Sequence, residues 1–158
     1  MLGRFFRRDR NESLGERGES AARRFLKKSG MKVLSIQDRA SFGELDIVAV
    51  DKKSIVFVEV KTRTSHHAGH PAEAVHTVKQ KKITQLALAY MKRHRLFGTP
   101  ARFDVVAVTW PSDAKKPTIE HYKNAFDAIG EGQMYSYCLL YTSPSPRDQR
   151  GSRMPSSA

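Results

Sequence analysis

Apolar and small residues recur at helical spacing near the start of the chain. Leu14, Gly18, Ala21, Ala22, Phe25 and Leu26 fall on one face of a helix running to about Ser29. Asn11 or Ser13 can cap its start, and Gly30 is a natural stop at its end. The period then changes. Met31 to Ile36 reads as a short strand. Leu45 to Val50 and Ile55 to Val60 are two β-branched runs joined by Asp51-Lys52-Lys53-Ser54, the pattern of a hairpin. Helical spacing returns in a segment running to about Arg95, with Pro71 suited to its first turn and Glu73 well placed against its dipole. Gly98-Thr99-Pro100 ends it, and Arg102 to Thr109 reads as a fourth strand. Ile119 to Phe126 is ambiguous between helix and strand.

The order helix, strand, strand, strand, helix, strand predicts an α/β domain. A strand–helix–strand crossover requires at least one parallel pairing, so the central sheet is expected to be mixed. In the hairpin, Val48, Val50, Ile55 and Phe57 share one face, and Leu45, Ile47, Val56, Val58 and Val60 share the other. Both faces are apolar, which predicts cover on both sides of the sheet. The 158 residues suffice for one domain with a single core. Its expected limits are residues 11–129, after a basic N-terminal segment over 1–10. That segment offers only Leu2, Phe5 and Phe6 after Met1 as apolar content, which is not a secretory core. No apolar run is long enough to cross a membrane.

Near residue 130 the pattern dissolves. Gly130-Glu131-Gly132-Gln133 leads into a tail rich in Ser, Pro and Arg, the composition of a disordered segment over 130–158. Within it, the stretch from Cys138 to Asp148 resembles the translation of a transposase-type DNA-sequencing adapter. Ser152 to Ala158 resembles the primer region that follows, with Gln149-Arg150-Gly151 in the place of an index barcode. Residues 138–158 are therefore expected to be non-native and take no part in function.

Charge narrows the partners. The formal net charge is +12; the tail supplies three arginines against Asp148, a net of +2, so +10 remains elsewhere. A basic domain points to a polyanion, most commonly nucleic acid, although charge alone does not separate this from an anionic membrane surface. The single cysteine, Cys138, leaves no intrachain disulfide and no Cys-based zinc site, which fits a reducing cytoplasm.

The hairpin concentrates the candidate chemistry. A loop centred between Lys52 and Lys53 sets Asp46 directly opposite Glu59, puts Lys61 on the same face, and places Glu44 opposite Lys61. Two carboxylates facing each other at ~4 Å repel by about 4 kcal/mol at an effective dielectric near 20. Such a pair calls for a cation or a shared proton. Lys61 offers one positive charge; Mg²⁺ offers two and prefers carboxylate, water and phosphate oxygens. Glu19 lies at the margin of the first helix's apolar stripe and can face the sheet, whereas Glu16 points away. Lys79 falls amid Val75, Ile83, Leu86 and Tyr90 and so needs an anionic partner or must snorkel. Taken singly, each of these residues has a plain structural reading; their convergence is what points to a site. His66, His67 and His70 fit no standard zinc spacing and read as a loop able to touch phosphate. Trp110 and Tyr122 read as packing residues.

Three blocks carry a resemblance: Gly15 to Ala22, Gly43-Glu44-Leu45-Asp46-Ile47-Val48, and Val56 to Arg63. Together they resemble the YraN-like family, small bacterial proteins predicted to be endonucleases and similar to archaeal Holliday-junction resolvases. Gly69-His70-Pro71, Lys79, Ala87 to Met91 and Asn124-Ala125-Phe126 continue the likeness, which covers roughly residues 11 to 127. The resemblance implies a restriction-endonuclease-like core of the PD-(D/E)XK type. The signature acid and Glu-x-Lys fall on Asp46 and Glu59-Val60-Lys61, and the helix acid on Glu19. It implies that Asp46 and Glu59 bind Mg²⁺ or Mn²⁺ and that Lys61 orients water or stabilises the phosphorane. Lys79 and Arg63 would then contact nucleic acid. The implied activity is hydrolysis of phosphodiester bonds in DNA, including branched or structured DNA, and the resolvases carry over a homodimer as an expectation. His66 and His67 depart from the family pattern. The competing class is a catalytically silent nucleic-acid-binding module, or an RNA- or ribosome-associated assembly protein, built on the same fold.

Overall fold

The structure, a computed structural model, describes residues 12–65 and 75–130. In chain order it holds α1 (Leu14–Lys28), β1 (Lys32–Ala40), β2 (Gly43–Asp51), β3 (Ser54–Arg63), α2 (Thr77–Arg93), β4 (Ala101–Thr109) and β5 (Thr118–Phe126). The strands form one sheet in the order β1-β2-β3-β4-β5. β3 and β4 are parallel, and the other neighbours are antiparallel. α2 is the crossover that a parallel pair demands. This mixed sheet between two helices is the layout expected of a restriction-endonuclease-like core. No helix among the described residues is long and apolar enough to cross a membrane.

Local chemistry explains the ends of the elements. Ser13 caps α1, and Asn11 lies outside the described residues. The Ser13 hydroxyl accepts from the Glu16 amide at 3.2 Å, and the Glu16 carboxylate accepts from the Ser13 amide at 2.8 Å, a reciprocal capping box. β1 runs past Ile36 to Ala40 because Asp38, Arg39 and Ala40 pair with Leu45, Glu44 and Gly43. α2 starts at Thr77, after the non-helical Val75 and His76, so the described helix begins later than the sequence pattern placed it. Pro71, Glu73 and the loop histidines His66, His67 and His70 lie outside the described residues, as do the 1–10 segment and the tail from 131. The ambiguous segment from Ile119 to Phe126 belongs to an edge strand.

Each helix covers one face of the sheet. Ala21, Ala22 and Leu26 of α1 pack on Ile47, Ala49, Val56, Val58, Val106 and Val108. Ile83, Leu86, Ala87, Tyr90 and Met91 of α2 pack on Val48, Ile55, Phe57, Phe103 and Val105. Fully burying an apolar side chain of this size contributes about 1.5–3 kcal/mol. One face assignment changes: Leu45 packs on the α2 side, not with Ile47. Strict alternation along β2 therefore slips at Asp46, between them.

β5 is held by a buried carboxylate. The β4–β5 register shifts between Phe103 and Val105, and Asp104 fills the irregularity. Its carboxylate accepts from the Asn124 amide at 2.9 Å and from Arg102 Nε at 3.0 Å, and lies 2.8 Å from His121 Nε2. Burial pushes this acid up, but the bonds from His121, Arg102 and the Asn124 amide outweigh it and hold its pKa below the ordinary value.

At Gly18, α1 lies so near β3 that a Cβ would fall 1.9 Å from Thr62 Oγ1 and 2.8 Å from Thr62 Cβ. Rotating Thr62 clears the hydroxyl but not Cβ, so a larger residue must push α1 away. Gly18→Ala is expected to destabilise the protein by about 1–3 kcal/mol of overpacking, against ~1 kcal/mol of improved helix propensity. Thermal melts test this; an unchanged or raised Tm would mean that the contact does not limit the position of α1.

Candidate active site

The hairpin has the register its loop dictates. β2 and β3 pair from Asp51–Ser54 through Val50–Ile55 to Ile47–Val58, and there the ladder stops. The next pair would be Asp46 with Glu59. Instead the strands part, and Asp46 Oδ2 accepts the Val60 amide at 2.8 Å in place of a backbone partner. Glu59 is only 6% exposed. Its Oε1 receives Lys61 Nζ at 2.9 Å and Lys79 Nζ at 3.3 Å. Lys79 of α2 thus finds the anionic partner that its place on an apolar face required. Glu44, expected opposite Lys61, pairs with Arg39 at 3.3 Å instead, because the β2–β3 ladder has already ended. Arg63 continues β3 beyond Lys61, half-buried, with its charge felt at Tyr122.

Glu19 reaches the same place from α1. It lines a cavity of about 190 Å³ with Glu16, Arg23, Gln37 and Asp46. Glu16, read from the sequence as pointing away, thus both caps α1 and borders the cavity. Gln37 Nε2 donates to Glu19 Oε2 at 3.1 Å. Burial, reinforced by the charges of Glu59 and Glu19, pushes the Asp46 carboxyl up to about 7, with the Val60 amide and Lys79 working the other way. On the α2 side lies a shallow groove of about 470 Å³ lined by Arg39, Ala40, Gly43, Glu44, Lys79 and Lys82. Trp110 is a packing residue, as expected: Arg17 covers its ring at 4.1 Å and its indole N–H donates to the Ala114 carbonyl at 3.0 Å.

The model of the family described as "Uncharacterised protein family UPF0102" matches residues 18–108. A UPF0102 protein of Rhodopirellula baltica is 47% identical over 135 residues, covering 84% of this chain and 81% of the relative. The chain belongs to the UPF0102 family. A UPF0102 protein of Geobacter metallireducens is also 47% identical, over 117 residues that cover 74% of the chain and 94% of the relative. One of Trichlorobacter lovleyi is 47% identical over 118 residues, 74% and 92% of the two chains. The UPF0102 match contains Glu19, Gln37, Asp46, Glu59, Lys61 and Lys79 together.

The donor set suits a hard divalent cation. Among the described residues, no group of three or more His, Cys, Asp or Glu side chains is gathered into a ready metal cage. Mg²⁺, however, is commonly held by one or two carboxylates with water and phosphate completing the shell. Asp46, whose proton affinity is raised by burial and then by neighbouring acids, and the lysine-paired Glu59 are donors of that kind. Sequence reasoning missed Gln37, Arg39 and Lys82. Only the pairing of β1 with β2 brings Gln37 and Arg39 here, and only the seating of α2 brings Lys82 beside Gly43.

The raised Asp46 carboxyl sets a pH signature. Its value rises from 3.8 to about 7 on folding, so the folded state binds the proton more tightly. The resulting penalty is absent below about pH 4, grows through the window up to about 7, and is complete above it. Asp46→Asn keeps an acceptor for the Val60 amide and removes the charge. With a chelator present, it is expected to leave stability unchanged at pH 4 and raise it by up to a few kcal/mol at pH 8. Denaturant titrations at both values check this; an equal effect at both pH values would contradict the assignment.

Proposed function

We propose that the protein is a divalent-cation-dependent endonuclease that hydrolyses phosphodiester bonds in DNA, acting on branched or structured DNA in a cytoplasmic setting. The observation that carries this reading is Asp46, held in the β2–β3 opening with its carboxyl pushed up to about 7 by burial and by Glu59 and Glu19. An acid so placed gains most from a bound cation. Asp46 and Glu59 would hold Mg²⁺ or Mn²⁺, which when bound supplies Lewis-acid polarisation of the phosphate and activation of water. Lys61, fixed on Glu59 at 2.9 Å, sets a cation beside the attacked phosphate and offsets charge building on its oxygens. Lys79 keeps Glu59 oriented from the other side. Glu19 orients water in the cavity that it shares with Asp46. The basic groove, with Arg39, Lys79 and Lys82 against Glu44, receives the flanking phosphates, and the net charge of +10 that remains outside residues 138–158 draws DNA in.

A second reading has one observation in its favour. Glu59 already pairs with two lysines, so the cluster also works as an ion-paired lock in a module that binds nucleic acid without cutting it. The two readings separate on incubation with linear, flapped and four-way DNAs in Mg²⁺ or Mn²⁺. Cleavage that requires the cation and disappears in Glu59→Ala and Asp46→Asn is expected. Binding without cleavage across the whole panel would favour the lock.

The groove generates its own prediction. Lys82→Ala should weaken DNA binding in a sequence-independent way and reduce the slope of log affinity against log salt by about 1. The increase in Tm produced by Mn²⁺ should be unaffected. A salt slope equal to that of wild type would place the DNA elsewhere.

A further inference from the structure

Gln37 has no obvious reason to adopt its backbone conformation. Its φ is 48°, in the left-handed region, which non-glycine residues occupy only when their surroundings hold them there. The other three such residues have ordinary explanations. Lys52 is in the β2–β3 turn, Arg95 follows the end of α2, and Asn124 adjoins the β4–β5 irregularity. Gln37 lies inside β1. Ile36 pairs with Ile47 and Asp38 with Leu45, so the register is continuous across it and no residue is inserted. The position facing it is Asp46. Both strands change face in this row. Along β1, the exposed and half-buried positions alternate until Ile36 and Gln37 are exposed in succession. Along β2, Leu45 and Ile47 pack on opposite sides of the sheet.

The amide of Gln37 meets Glu19. Nε2 donates to Oε2 at 3.1 Å, at the border of the cavity that both residues share with Asp46. Glu19 is half-buried on α1 and shares the cavity with Arg23 and with two other acids, Asp46 and Glu16. Repulsion from the two acids would favour a rotamer turned out to solvent. A neutral amide can hold the carboxylate inward without neutralising it, as a lysine would.

We infer that Gln37 is a positioning residue: its left-handed backbone and side-chain amide hold Glu19 towards Asp46 so that the two acids act together on the cation and its water. This rests on the nuclease reading above and adds to it a residue that touches neither phosphate nor metal.

The test uses the full chain with Gln37→Gly, Glu19→Gln and the double variant. Glycine accepts the left-handed conformation freely, so Gln37→Gly should leave the metal-free Tm unchanged or raised. Cleavage of the DNA panel should nevertheless fall by about 10- to 100-fold, the usual effect of losing a residue that orients a metal site. The loss should appear in kcat with KM little changed, and the rise in Tm produced by Mn²⁺ alone should shrink. On the Glu19→Gln background, Gln37→Gly should add nothing further, because the residue acts through Glu19. A lower metal-free Tm with a proportionate loss of activity would mean a merely structural role and overturn the proposal. So would additive losses in the double variant, or full cleavage and Mn²⁺ response in Gln37→Gly. If the wild-type chain neither cuts DNA nor responds to Mn²⁺, the nuclease reading fails and takes this proposal with it. A wild type that does both, beside an unaffected Gln37→Gly, removes this proposal alone.

Discussion

Glu59 is a carboxylate almost removed from water, and a lone charge there would cost several kcal/mol. Two lysines make the position tolerable. Lys61 comes from β3 itself and Lys79 from the first turns of α2, and both reach the same oxygen. The contact therefore ties the crossover helix to the strand it follows and orients the acid between them. Removing one partner of a buried pair typically costs about 3–5 kcal/mol. Here the remaining lysine shares the charge, so the arrangement tolerates the loss of either one better than the loss of both. The shared contact fixes the orientation of Glu59 and pins the start of α2, whose seating over the sheet rests on the packing of Ile83, Leu86, Ala87, Tyr90 and Met91.

The second constraint is that β2 and β3 separate where a regular ladder would have pressed Asp46 against Glu59. A parted strand leaves a backbone amide without a partner, and buried amides are rarely left so. The Asp46 carboxylate takes the Val60 amide, so one side chain both closes the end of the ladder and supplies the acid. β1 accommodates the opening through the left-handed Gln37 in the facing position. Asp46 can then border the cavity beneath α1, while Glu59 remains paired with Lys79 of α2.

Much of this was legible in the chain. The two β-branched runs and the four residues between them dictate the register as far as Ile47 and Val58, so counting brings Asp46 near Glu59 but sets them directly opposite, where the ladder has already ended. Lys79 declared itself as a charge on an apolar helix face. Other features lacked a local signal. β5 alternates polar and half-buried residues, as an edge strand does, with Glu120, His121 and Lys123 among them, and its closing contact with Asp104 is long-range. Leu45 could not be placed because period-two alternation assumes an unbroken strand, and β2 slips at Asp46. Gln37 is one polar residue in a short strand. Its meaning depends on a backbone angle and on a cross-strand neighbour, neither of which composition or spacing reveals.

The two openings differ in charge. Beneath α1, Glu16, Glu19 and Asp46 face Arg23; beside α2, Arg39, Lys79 and Lys82 face Glu44. Opposite unit charges 4 Å apart attract by about 4 kcal/mol at an effective dielectric of 20, and screening at physiological salt sets in over roughly 8 Å. Each opening is therefore governed mainly by its own lining. A cation would be drawn to the first and a polyanion to the second. Ligands of opposite sign arriving through one opening would face a mixed field that favoured neither. Arriving from opposite sides, they would meet where β2 and β3 part, at Asp46 and Glu59. Separating the routes in this way lets a basic protein keep three acids close together without their field repelling the DNA it is proposed to bind.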